Sequence, residues 1–88
     1  MTLAFPNQSR SYDPERQAIH FLGHDGMAKV PFFVQVAALG RLRAGAHTEA
    51  GYLDAFDAER IAIQDAARKA YSHKRKQNMY VLTAADLP

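Results

Sequence analysis

The stretch Ala18-Ile19-His20-Phe21-Leu22-Gly23-His24-Asp25-Gly26-Met27-Ala28-Lys29-Val30-Pro31-Phe32-Phe33-Val34 decides the fold of this 88-residue chain. Two arms with apolar residues at alternate positions flank Asp25-Gly26. An Asp-Gly pair is a strong hairpin signal, because a type I′ turn needs positive φ at both central residues. Residues 17–34 therefore read as a β-hairpin. With Asp25 and Gly26 as the loop, Phe21 faces Val30 and Ile19 faces Phe32 on the core side. The other side pairs Ala18 with Phe33, His20 with Pro31 and Leu22 with Lys29. Side chains alternate with a period of two, so a slip of one residue would send one arm's apolar set to the wrong face. Pro31 sits badly in this register. The 20–31 pair is due to exchange two backbone hydrogen bonds, and proline has no N–H to offer. Regular pairing is expected to weaken there, at an edge, a bulge or a bend.

Working outward, Leu3-Ala4-Phe5 reads as a short strand, followed by a loop in which Asp13-Pro14 supplies turn chemistry. After the hairpin, residues 35–44 suggest a short helix with Val36, Leu39 and Leu42 inward, ended near Gly45. The strongest helical pattern runs from about Glu49 to His73, with Thr48 as its N-cap. At 100° per residue, Tyr52, Leu53, Phe56, Ile63, Ala67, Ala70 and Tyr71 fall in one apolar stripe. Acids gather in its first half and bases at its end, which complements the helix dipole, and Asp65 with Lys69 forms an i, i+4 pair. Met79-Tyr80-Val81-Leu82 reads as a last strand. The expected fold is α+β: an antiparallel sheet of N-terminal strand, hairpin and C-terminal strand, packed against one long helix and one short one. Residues 1–88 form a single domain, since the length leaves room for one thin core.

Composition narrows the function. Hydrophobic residues make up 48% and charged residues 23%, which is the balance of a folded domain. The chain has no cysteine, which excludes disulfides, thiolate zinc sites and a cysteine nucleophile. The longest apolar run, Val30–Val34, is far short of the ~20 residues that span a bilayer, and the start lacks the pattern of a secretion signal, so a cytoplasmic protein is expected. His20 and His24 share a strand face but stand about 13 Å apart, too far to share one metal ion. Ser72 and His73 diverge on the helix, and no phosphate-binding glycine loop or nucleophile elbow occurs. No catalytic residue, metal ligand or cofactor site emerges, and a non-catalytic binding or accessory module is the leading expectation.

Tyr12-Asp13-x-x-Arg16-x-Ala18-Ile19-x-Phe21, together with Phe33-Val34 and Ala38-Leu39, resembles the uncharacterised bacterial domain-of-unknown-function family numbered 1488, small stand-alone proteins. The resemblance implies a small α+β fold with an antiparallel sheet. It carries over no activity, substrate or catalytic residue.

Two surfaces are candidates for contact with a partner. Arg68, Lys69, Lys74, Arg75 and Lys76 hold five of the eleven basic residues with no acid among them, while the remaining six face nine acids. This segment is the place where a polyanion would bind, and a non-specific nucleic-acid-binding protein is the alternative function. Leu22, Met27 and Phe33 lie opposite the core face of the hairpin; the first expectation is that the N-terminal segment or the C-terminal tail covers them, and otherwise they form a candidate protein-interaction patch, including self-association as a homodimer.

Arg60 is the anomaly in the helix. It falls inside the apolar stripe between Phe56 and Ile63, where a guanidinium must be paired or must rest its stem on the core and reach water with its head. Asp57, one turn earlier, is the local partner and Asp13 a distant one. Arg60→Ala is expected to destabilise the protein by more than about 0.5 kcal/mol, beyond a typical surface change. Chemical denaturation of the two proteins measures this, and an indistinguishable midpoint would refute it.

Overall fold

A computed structural model of the chain describes residues 3–6, 9–39, 48–73 and 79–87. Its elements are β1 (Leu3–Ala4), β2 (Arg10–Asp13), β3 (Ala18–Asp25), β4 (Ala28–Gln35), a 3-10 turn (Val36–Ala38), α1 (Glu49–Ala58), α2 (Arg60–His73), β5 (Tyr80–Leu82) and a second 3-10 turn (Ala84–Asp86). The five strands form one mixed sheet with the two helices on one face, an α+β fold.

The hairpin is present with its loop one residue later than expected. Asp25 pairs with Ala28, so Gly26 and Met27 form the loop. Gly26 has φ +62°, while Met27 has no positive φ. That pattern suits a II′ turn, which needs glycine only at its first central position. Every partner moves by two residues: Phe21 faces Phe32, Ile19 faces Val34 and Gly23 faces Val30. A shift of two preserves the alternation, so every residue keeps its expected face.

The same shift accommodates Pro31. In a two-residue hairpin the pair next to the loop is hydrogen-bonded and alternate pairs follow, which makes Leu22–Pro31 a non-hydrogen-bonded pair. The proline nitrogen then points away from β3, and the ladder runs on without the expected weakening. On the far side, β5 joins β4 only from Phe32 onward.

The N-terminal edge is more ordered than expected. β1 pairs with the end of β3, and Arg10–Asp13, read as loop in the sequence, is a strand paired with its beginning. Phe5 lies outside the strand, and its ring packs against Phe21 and Phe32. The turn between β2 and β3 is closed by Asp13, whose Oδ1 accepts from the backbone N–H groups of Glu15 and Arg16 at 3.0 and 3.2 Å.

The last strand corrects the expected topology. β5 runs parallel to β4, so the sheet is mixed rather than wholly antiparallel. A parallel neighbour requires a crossover connection, and the two helices supply it. The expected short helix is only the 3-10 turn Val36–Ala38 within the described residues; Leu42 and Gly45 lie outside them. Thr48 caps α1 as expected, its Oγ1 accepting from the N–H of Gly51 at 3.1 Å. The long helix is broken once, at Glu59 (φ −107°, ψ 15°), whose N–H reaches the carbonyls of both Ala55 and Phe56. The break lets α1 lie over β2 and β3 while α2 lies over β5.

The core lies between helices and sheet. Phe32, Phe56, Ile19, Ile63, Leu82 and Val34 are its largest fully buried side chains. Gly23 belongs to it through what it leaves free. A Cβ there would meet Leu3 Cδ1 and Phe32 Cε2 at 3.0 Å and Phe5 Cε1 at 3.1 Å. Gly23→Ala is therefore expected to destabilise the fold by about 1–3 kcal/mol through overpacking. An unchanged denaturation midpoint would show that the three side chains give way freely.

Candidate interaction surface

The period-two alternation that buries Ile19, Phe21, Phe32 and Val34 turns their neighbours to the opposite face of the sheet. No helix among the described residues lies on that face. Its central row crosses four strands: Ser11 beside His20, His20 beside Phe33, Phe33 beside Val81. The His20 and Phe33 rings stand 5.0 Å apart. Leu22 and Pro31 form the next row, and His24 with Lys29 the one after, toward the hairpin tip.

At the other end, the Arg16 guanidinium lies 4.7 Å above the Phe33 ring and pairs with Asp13 at 3.1 Å. The Asp13 carboxyl is held below its usual range, first by the backbone N–H of Arg16 and then by that residue's side chain. Arg16, Ala18, Phe33, Gln35 and Val81 enclose a shallow hollow of about 200 Å³. Val81, 44% exposed, was missed as a surface residue, because its membership follows from the parallel pairing of β5.

The expected patch of Leu22, Met27 and Phe33 is thus divided. Leu22 and Phe33 sit together on the open face, partly buried by their sheet neighbours, whereas Met27 stands 100% exposed at the hairpin tip. Of the basic segment, Lys69 is exposed on α2, and Lys74, Arg75 and Lys76 lie outside the described residues. Arg68 has structural partners: its Nε donates to the Leu3 carbonyl at 3.3 Å, its Nη1 to Asp65 at 3.1 Å, and its guanidinium lies 5.1 Å from the Phe5 ring. Asp65 therefore pairs with Arg68 rather than with the expected Lys69.

Arg60 behaves as its place in the stripe demands. The guanidinium lies 5.0 Å from the Phe56 ring centre and pairs with Asp57 at 2.6 Å. Asp57 also accepts two hydrogen bonds from Arg10 of β2, at 3.0 and 2.8 Å, a partner the sequence did not suggest because the two stand 47 positions apart. A further tie joins α2 to the hairpin, where the Tyr71 hydroxyl donates to Asp25 at 2.5 Å.

The hydrogen bond from Arg10, followed by that from Arg60, holds the Asp57 carboxyl below its usual value. A depressed carboxyl stabilises the folded state above its ordinary value of 3.8, and the contribution disappears as pH falls through the lower folded value. Asp57→Asn is expected to cost about 1 kcal/mol at neutral pH, the size of a partly exposed pair, with the difference closing below about pH 4. Denaturation at both pH values measures it, and a pH-independent difference would refute the assignment.

The family profile described as a protein of unknown function, DUF1488, matches residues 3–83. The crystal structure of a protein of unknown function from that family, from Shewanella loihica, superposes with a TM-score of 0.76. It shares 20% sequence identity, over 94% of this chain and 97% of that one, a likeness of fold. No curated protein matches the chain. With the profile spanning nearly every described element, the chain belongs to the DUF1488 family.

Proposed function

We propose that this protein is a non-catalytic binding module of the cytoplasm that works through the open face of its sheet. The row Ser11–His20–Phe33–Val81 carries the reading. A row in which two rings and a valine follow one serine across four strands is the kind of surface that proteins cover with a partner. Preorganisation adds to it, because the side chains stand on paired strands and lose little freedom on contact. No helix among the described residues is long and apolar enough to cross a membrane. The alternative, a non-specific nucleic-acid binder working through residues 68–76, has less support, since Arg68 is already engaged with Leu3, Phe5 and Asp65.

Site-specific photocrosslinking inside a bacterium that makes the protein tests this. A benzophenone amino acid in place of Phe33 is expected to give a discrete protein adduct. The same group in place of Ile61, 77% exposed on the helical side, is expected to give none. Adducts from position 61 alone, or with nucleic acid alone, would overturn the reading.

A further inference from the structure

We propose that the hollow enclosed by Arg16, Ala18, Phe33, Gln35 and Val81 receives one tyrosine side chain of a protein partner, ring against the Arg16–Phe33 stack and hydroxyl toward Gln35. This rests on the binding-module reading above and names the anchor that the open face takes.

The hollow is built by what its neighbours leave free. Ala18 stands between Asp13 of β2 and Gln35 of β4 and offers a single methyl group among longer side chains. β5 pairs only as far as Val34, one residue short of Gln35, so Val81 is its last contribution to the wall. Gln17, with φ +49°, closes the loop between β2 and β3, and Arg16 beside it reaches back over the Phe33 ring at 4.7 Å.

Size selects the class of occupant. At about 200 Å³ the hollow falls below the range of about 300–1,000 Å³ that encloses a cofactor or drug-sized ligand. It has room for one side chain, as pockets for single anchors do at protein interfaces.

The lining selects the chemistry. A guanidinium lying on an aromatic ring presents a flat surface, and the Arg16 side chain is 50% exposed, so an incoming ring can extend the stack. Val81 and the Ala18 methyl add apolar contact. Arg16 gives one side-chain N–H, on Nη1, to Asp13, and its other donors and the Gln35 amide have no partner among the described residues. A phenol hydroxyl, donor and acceptor at once, satisfies that rim. An anion does not suit it. Arg16 is already matched by Asp13 at 3.1 Å, and Glu15, whose N–H binds the same carboxylate, is exposed beside it. The rim thus sets two acids against one base, which repels a carboxylate or phosphate and accepts a neutral ring.

Amide chemical shifts of the whole nitrogen-15-labelled chain, titrated with N-acetyl-tyrosinamide, test this. Saturable shifts are expected at the five lining residues, with a dissociation constant on the order of 1 mM. N-acetyl-phenylalaninamide is expected to bind about threefold more weakly, for want of the hydroxyl, and the phosphotyrosine amide at least about tenfold more weakly. Ala18→Leu, which fills the hollow, is expected to abolish the shifts, with circular dichroism reporting whether it folds. Gln35→Ala, at a partly exposed polar position, is expected to keep the fold and remove most of the preference for tyrosine over phenylalanine. Four results would overturn the proposal: no saturable shifts at these residues up to about 20 mM, phosphotyrosine amide binding as tightly as tyrosinamide, a folded Ala18→Leu that binds like the parent, or a Gln35→Ala that keeps the full preference. Absence of the shifts together with a photocrosslink from position 33 to another protein would sink the tyrosine anchor and leave the binding module standing.

Discussion

The stacked pair Phe21–Phe32, directly opposed across β3 and β4 with ring centres 5.4 Å apart, is the contact on which the rest of the molecule hangs. Three peripheral elements dock onto it through one ring each. Phe5 brings the N-terminal segment, touching both at 6.0 Å. Phe56 brings α1 at 5.2 Å from Phe21, and Tyr80 brings β5 at 5.2 Å from Phe32. Burying one such side chain stabilises by about 1.5–3 kcal/mol, a large fraction of the stability of so small a domain. The open space at Gly23 belongs to the same arrangement, since it is the space that Leu3, Phe5 and Phe32 occupy.

Polar contacts then orient what the rings hold. Arg68 reaches from α2 to the β1 backbone, Asp57 of α1 takes Arg10 of β2, and Tyr71 of α2 meets Asp25 at the end of β3. Each joins a helix to a strand distant in sequence. Exposed ion pairs contribute little stability individually, so their consequence is geometric: they select one placement of each helix among those apolar packing allows. Arg60 shows both sides of this division, with its guanidinium against the Phe56 ring and on the Asp57 carboxylate.

Placing both helices on one side of the sheet has a functional consequence. The helical side is closed by the core, so the apolar and aromatic side chains of the other side face outward as a flat, preorganised surface. A small domain can commit only one face of a sheet to its own core without a further layer. Among the described residues no helix covers the other face, where Phe33 lies beneath the Arg16 guanidinium and beside Val81; the proposed binding function rests on that face.

Much of this was legible in residue order. The alternation in Ala18–Val34 assigns each hairpin residue to its face, and the 3.6-residue period places Phe56, Ile63 and Ala67 inward, because both periods are local properties of the backbone. Thr48 as a cap and Arg60 beside Asp57 are local in the same sense. Long-range geometry was not legible. The loop sits at Gly26-Met27 instead of Asp25-Gly26, a choice in which the missing N–H of Pro31 favours the pairing that turns its nitrogen away from β3. β2 carries one apolar residue in four and is a strand only because β3 offers it an edge. The parallel setting of β5 depends on how far the helices travel, and so does the place of Val81 beside Phe33. Sequence by itself determined which side chains of the hairpin and helices turn inward, since burial follows from a repeat of two or 3.6 residues. Tertiary structure alone decided register, strand direction and the Arg10–Asp57 link, because those depend on contacts between residues whose separation along the chain carries no periodic signal.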